Sequence, residues 1–149
     1  INNNITHYPP VPGFLELRQA IADKLKRDNK LDYNASQIIV SNGAKQSLTN
    51  IFMVLLDAGD EVIIPSPYWV SYPEMIKMAD GTSVFIDAGI ETDFKVTPEQ
   101  VESAITPKTK AFLFNSPGNP TGSVYTRTEL KALADVFEKY PDIVIVSDE

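Results

Sequence analysis

Apolar residues follow two alternating rhythms along the chain. Short unbroken runs occur at Ile38-Ile39-Val40, Val62-Ile63-Ile64, Val84-Phe85-Ile86, Ala111-Phe112-Leu113-Phe114 and Ile143-Val144-Ile145-Val146. Runs of this length, rich in β-branched and aromatic residues, are the pattern of strands covered on both faces. Between them the spacing changes to three and four, as in Phe14, Leu17, Ile21 and Leu25, and again in Leu48, Ile51, Phe52 and Leu55. That is the rhythm of a helix with one buried stripe.

Boundary signals agree with the rhythms. Thr97-Pro98-Glu99-Gln100 is a capping box with proline at the first helical position, and it predicts a helix to about residue 105. Thr126 and Glu129 repeat the device ahead of a helix ending near residue 140. Helices are also predicted over 46–56 and over 70–78, the latter with Pro73 in its first turns and closed by Gly81. Asp28-Asn29 ends the first helix, and Asp57-Ala58-Gly59-Asp60 reads as a turn. Pro9, Pro10 and Pro12 exclude a continuous helix over residues 1–13, which read as an extended arm. Strands alternating with helices predict a three-layer α/β fold, a mostly parallel sheet with helices on both faces and ligands gathered at the carboxyl ends of the strands. No repeat or linker-like stretch marks a boundary, so residues 1–149 are read as part of a single domain.

Composition narrows the function classes. With 43% hydrophobic and 22% charged residues over 149 positions, the chain has the make-up of a protein with one core. Its apolar runs are far too short to span a bilayer and no leader-like pattern opens it, which makes a cytoplasmic location the expectation. The absence of cysteine excludes disulfides and thiolate metal sites. His7 is the single histidine, so no metal site is expected. A net charge of -7 argues against a nucleic-acid partner, whose backbone calls for a basic face. The chain opens Ile1-Asn2-Asn3 without an initiator methionine and closes on Ser147-Asp148-Glu149 directly after a strand, which reads as a piece of a longer protein.

The residues able to do chemistry follow the apolar runs. Ser41-Asn42-Gly43-Ala44-Lys45 joins a run to a helix start, where free backbone N–H groups and the helix dipole suit an anion. The same residues also suit a plain tight turn. Ser66-Pro67-Tyr68-Trp69 follows the second run, and Trp69 fits a core position or a flat stacking surface. Asn115-Ser116-Pro117-Gly118-Asn119-Pro120-Thr121-Gly122 is an elbow in which two prolines fix φ and two glycines permit unusual backbone, able to hold the Asn119 amide in one orientation. Asp148 ends the last run, either as a turn or cap residue or as a carboxylate whose partly buried position calls for a cation.

Taken in order, Gly43-Ala44-Lys45, Ser66-Pro67-Tyr68-Trp69-Val70-Ser71-Tyr72-Pro73, Asn119-Pro120-Thr121-Gly122 and Ser147-Asp148-Glu149 resemble the class I pyridoxal-phosphate-dependent aminotransferases, close to the bacterial aspartate aminotransferases, along nearly the whole chain. The resemblance implies pyridoxal 5'-phosphate as cofactor and transamination between an amino acid, aspartate foremost, and a 2-oxo acid, 2-oxoglutarate foremost. It implies that Gly43, Ala44 and Lys45 bind the cofactor phosphate, that Trp69 stacks on the pyridine ring and that Asn119 stands beside the phenolic oxygen and the substrate carboxylate. Asp148 then pairs with the pyridine nitrogen, and Lys45 also pairs with the distal group of a dicarboxylate substrate. Tyr8, on the arm, is implied to reach the phosphate of a neighbouring subunit, which requires a homodimer. His7 and Tyr72 are read as structural. No lysine here has the context of the family's Schiff-base lysine, so the chain is expected to carry half a site of the large, cofactor-binding domain and no activity of its own. The family's sheet pairs the run at Ile38-Ile39-Val40 with later sequence, leaving that edge open here. Rival readings are a lyase or synthase of the same fold, and a non-catalytic effector-binding domain of a transcription regulator.

Overall fold

Four of the five apolar runs form one parallel sheet in the computed structural model, which describes residue 2 and residues 6–149. The chain divides into two compact units, Ile1–Ser47 and Leu48–Glu149.

The second unit holds the sheet. Its strands are β1 (Glu61–Ser66), β2 (Thr82–Asp87), β3 (Thr109–Asn115) and β4 (Val144–Asp148), in the order β2-β1-β3-β4. β1 pairs with β2 from Glu61↔Thr82 to Ser66↔Asp87, and β3 pairs with β4 from Ala111↔Val144 to Asn115↔Asp148. The β1–β3 ladder slips between Glu61 and Val62 before continuing through Ile63↔Phe112. Successive side chains of a strand face opposite ways, and the two cores follow that alternation. Val62, Ile64, Ala111, Leu113 and Val146 pack on one face with Tyr72, Met75 and Ile76 of α3 (Ser71–Met78) and with Leu48 and Phe52. Ile63, Ile86 and Phe112 pack on the other with Val101 of α4 (Pro98–Ala104) and Leu133, Val136 and Phe137 of α5 (Arg127–Phe137). These are the expected three layers. Val62, Ile63 and Ile64 are each no more than 1% exposed, and burying an aliphatic side chain of this size contributes about 1.5–3 kcal/mol.

Both capping boxes form as expected. The Thr97 hydroxyl accepts from the Gln100 N–H at 3.3 Å while the Gln100 side chain accepts from the Thr97 N–H at 2.9 Å. Thr126 and Glu129 make the same exchange at 3.2 and 2.6 Å. α5 stops at Phe137, and two reverse turns replace the last predicted turn before residue 140.

The first unit departs more from expectation. α1 (Leu15–Lys24) runs into a wider π turn at Leu25–Asn29, ended by Lys30 in the left-handed conformation, as the Asp28-Asn29 break predicts. The expected buried stripe is not buried: Phe14 is 55% and Leu17 46% exposed, and Ala22 is the only buried residue of α1. An apolar stripe is covered only where a second layer meets it, and no strand is described in this unit to provide one. Ile38-Ile39-Val40 is likewise no strand. The Val40 N–H donates to the Pro12 carbonyl at 3.0 Å, the Ile38 N–H to Ala35 at 3.3 Å, and Ile39 is 71% exposed. Those bonds make a local turn and a single tie, with no ladder. Of the predicted arm, residues 1 and 3–5 lie outside the described residues. Its described part is exposed as far as Val11, and a turn with Gly13 N–H donating to Pro10 at 2.8 Å ends it. The helix α2 (Ala44–Leu55) crosses the division after Ser47. No described helix is long and apolar enough to cross a membrane.

Candidate functional site

The strand order places the crevice. From β1 the chain moves outward to β2 and then returns past β1 to β3, so the segments after β1 and β3 leave the sheet in diverging directions. In open parallel sheets ligands bind at this switch, outside the carboxyl ends of the strands. The loop after β1 carries Tyr68 and Trp69, the loop after β3 is the elbow, and β4 ends beside it on Asp148.

Hydrogen bonds connect the three ends. Asn115, the last residue of β3, donates its side-chain amide to the Asp148 carbonyl at 2.7 Å and accepts the Asn119 N–H on its amide oxygen at 2.7 Å. The Ser116 N–H donates to the same Asp148 carbonyl at 3.3 Å. Within the elbow the Gly118 N–H donates to Ser123 at 2.8 Å and the Gly122 N–H to Gly118 at 2.6 Å. Gly122 has φ +77, a left-handed backbone that a side chain would strain. The elbow thereby presents Asn119, which is exposed, at a position fixed relative to the end of β4.

Asp148 is held from below as well. Tyr72, in the first turn of α3, is 2% exposed, and its hydroxyl donates to Asp148 Oδ2 at 2.6 Å. Burial pushes the Tyr72 hydroxyl pKa well up, and the hydrogen bond and negative charge of Asp148 push it further the same way. The group therefore stays a neutral donor. The ring of Trp69 meets that of Tyr72 edge to face, with centroids 5.4 Å apart, and the half-buried indole packs on the α3 side of the core. Trp69, Asp148 and Asn119 thus gather at one edge of the sheet, linked through Tyr72 and Asn115.

Behind the elbow lies a cavity of about 30 Å³ lined by Tyr68, Tyr72, Lys95, Asn115, Asn119 and Tyr125 among others. That is room for a water molecule, not for a ring-sized ligand. Lys95 closes it from the back, pairing with Glu129 at 2.8 Å and Asp93 at 3.4 Å with its side chain only 14% exposed. Lys95 and the capping bonds from Thr126 hold the Glu129 carboxyl far below the usual range, at about 2. The buried Tyr125 hydroxyl accepts from the Val96 N–H at 2.9 Å, and the Tyr125 N–H donates to the Ser116 hydroxyl at 3.2 Å. These contacts brace the elbow against α5 and the segment before α4.

The remaining candidates belong to the first unit. Gly43 precedes α2 with φ +89 and open space where a Cβ would stand. The Gln46 and Ser47 N–H groups donate to its carbonyl at 3.1 and 3.3 Å, and the Asn42 N–H donates to the Gln46 side chain at 2.6 Å. Ala44 and Lys45 form the exposed first turn of α2, whose leading N–H groups point outward as at any helix start. Tyr8 is 99% exposed.

Two residues of the cluster escaped the sequence reading. Tyr72, read as structural, contacts both Asp148 and Trp69, and Asn115, read only as part of the elbow, joins β3, β4 and Asn119. Asn115 and Asp148 carry no sequence signal of their contact. Trp69 and Tyr72 did: three positions apart at a helix start, they share one face.

Known proteins resemble this chain along its whole length. The family model described as aminotransferase class I and II matches residues 1–149. The chain is 53% identical over its full length to an aspartate/prephenate aminotransferase of Nitrosomonas europaea and, again at 53%, to an aspartate aminotransferase of Bacillus subtilis, covering 38% of each. The aspartate aminotransferase of Thermus thermophilus solved with maleate superposes with a TM-score of 0.94 at 48% identity, over 99% of this chain and 38% of that one. The chain thus spans little more than a third of the length of these relatives.

Proposed function

Because the chain belongs to the class I and II aminotransferase family, we propose that the full-length protein is a pyridoxal-phosphate-dependent aminotransferase and that residues 1–149 are part of its large domain. The observation that carries the reading is the Asp148 carboxylate at the end of β4, with one oxygen engaged by Tyr72, whose ring also meets the Trp69 indole.

The residues present fit the cofactor on their chemistry. Asp148 would accept the pyridine N–H and keep that nitrogen protonated. Trp69 offers a flat apolar surface that orients the ring and excludes water. Asn119, fixed through Asn115, would donate to the phenolic oxygen and help seat the substrate carboxylate. The turn at Gly43 and the first turn of α2, Ala44 and Lys45 included, suit a phosphate, because a glycine there lets backbone N–H groups approach an anion. Pyridoxal phosphate, when bound, supplies the electron sink for charge on the substrate's α-carbon. The Schiff-base lysine is assigned to sequence outside these residues.

Aspartate is the proposed amino donor and 2-oxoglutarate the proposed acceptor. The names of the relatives and the maleate of the Thermus thermophilus structure, a dicarboxylate, support that choice, and the name of the Nitrosomonas europaea relative adds prephenate as a second acceptor. Lys45 would pair with the distal carboxylate. Tyr8, fully exposed on the arm, would serve the phosphate of a partner subunit in a homodimer.

The test is amino transfer by the full-length protein with aspartate and either acceptor, repeated with Asp148→Ala. Removing a preorganised charge beside developing charge is expected to raise the barrier by about 3–5 kcal/mol, at least a hundredfold in rate, with the fold retained. Near-normal transfer by the Ala variant would reduce Asp148 to a strand-end cap.

A further inference from the structure

We infer that Tyr72 is a positioning residue that couples the Asp148 carboxylate and the Trp69 indole into one unit, its hydroxyl fixing the first and its ring fixing the second. The inference rests on the cofactor reading above and deepens it.

A carboxylate can turn about its bond to Cβ and offer either oxygen. Here Oδ2 accepts the Tyr72 hydroxyl at 2.6 Å, and no other side-chain hydrogen bond to Asp148 is formed among the described residues. The turn is thereby stopped, and Oδ1 is the oxygen left to accept a ring N–H. The bond also acts on charge. The hydroxyl dipole lies against the same carboxylate that would face the ring nitrogen, so the field at that nitrogen depends on it. Asp148 is the only charged group acting on the Tyr72 hydroxyl among the described residues, and burial keeps that hydroxyl protonated. The donor therefore persists over the whole working pH range.

The same side chain reaches Trp69. The rings meet at 86° with centroids 5.4 Å apart, an edge-to-face contact that braces the indole against a residue that is itself 2% exposed. Tyr72 sits in the first turn of α3, between Met75 and Ile76 of the core and the end of β4, so neither contact can relax without moving the helix. Its hydroxyl thus holds the acceptor while its ring meets the stacking surface, and one side chain serves both.

The experiment uses the full-length protein with Tyr72→Phe, which keeps the ring and removes the hydroxyl, and Tyr72→Leu, which removes both. Each is measured for pyridoxal phosphate affinity, for the pH midpoint of the bound cofactor's absorbance and for its visible circular dichroism. Tyr72→Phe is expected to weaken affinity about tenfold, as for loss of a hydrogen bond to a charged group. It should also shift the pH midpoint while preserving the dichroic band. Tyr72→Leu should additionally diminish the band. In an Asp148→Asn background Tyr72→Phe should add less than about twofold, because the partner it acts through has lost its charge. An unchanged midpoint and affinity in Tyr72→Phe, or an undiminished effect in the Asp148→Asn background, overturns the coupling to Asp148. A dichroic band equal in the Phe and Leu variants overturns the coupling to Trp69. Failure of the unsubstituted protein to bind pyridoxal phosphate would instead overturn the cofactor reading, and the coupling with it.

Discussion

Ile38-Ile39-Val40 and Ile143-Val144-Ile145-Val146 are the same kind of sequence with different fates. The second is β4, in register with β3 from Ala111↔Val144 to Asn115↔Asp148. The first has two isolated backbone bonds and Ile39 71% exposed. Intrinsic preference cannot separate them, since both are β-branched throughout. What separates them is a partner: β4 finds the ladder of β3, while none of the described residues of the first unit offers residues 38–40 one. A strand is a property of a pair, and β-propensity records how well a side chain suits a pleated surface once that surface exists. β4 shows the intermediate case. Paired on one edge only, it buries Val146 to 6% yet leaves Val144 41% and Ile145 47% exposed. An open apolar edge is a template for further pairing, so the chain in isolation is expected to associate.

The comparison is broken most severely in the sheet. Phe112 is 1% exposed and touches Phe114 and Phe137 with centroids 5.9 and 5.0 Å away. Phe112→Ala leaves a cavity that packed strands and α5 cannot close, and is expected to cost about 3–5 kcal/mol. The measurement is the urea midpoint of the full-length protein at constant slope. A cost below about 1 kcal/mol would mean that the paired strands are no better packed than residues 38–40.

The contrast also explains what could be read from the sequence. Strands with neighbours, the three layers and both capping boxes were legible because pattern and partner agree there. Thr97 and Thr126 need only residues three positions on, and Val62 to Ile64 find sheet on both sides. Trp69, Asn119 and Asp148 could be singled out because each ends or follows an apolar run, where a parallel sheet gathers ligands. Tyr72 could not be given its role in that way, since the carboxylate it holds lies 76 positions away. Asn115 shares the difficulty, reaching Asp148 across 33. The stripe of α1 and the run at 38–40 were over-read for the converse reason: their patterns announce a burial that their own unit does not supply.

A smaller effect is expected at the brace behind the elbow. Glu129 titrates at about 2 against an ordinary value of 4.5, chiefly through Lys95 and then through the Thr126 cap. A depressed carboxyl contributes stability that is complete above the ordinary value and disappears as pH falls through the folded one. The contribution is therefore lost between about pH 4.5 and pH 2. Because the pair is partly open to solvent, with Glu129 40% exposed, the effect is modest. Glu129→Gln should flatten the acid limb of the stability curve in that window, lowering stability modestly at pH 7 and leaving it nearly unchanged below about pH 2. An acid limb with unchanged slope would show that Lys95 and Glu129 are not paired in solution.

The smallest effect is expected at Ile39, and it bears most directly on the role of a partner. In the 149-residue chain Ile39 is 71% exposed and touches no ladder, so Ile39→Ala should change stability by less than about 0.5 kcal/mol. In the full-length protein, where this run is expected to pair with later sequence, the same substitution should cost about 2–5 kcal/mol, the range for truncating a buried isoleucine. The change of context, with the residue held constant, measures what the partner strand contributes. Denaturant unfolding of both proteins with and without the substitution gives the four numbers required. Two equally small costs would show that residues 38–40 remain a turn whatever surrounds them. A large cost in the short chain would show that the run finds a partner there too, through association at its own open edge, and dilution should then abolish that cost.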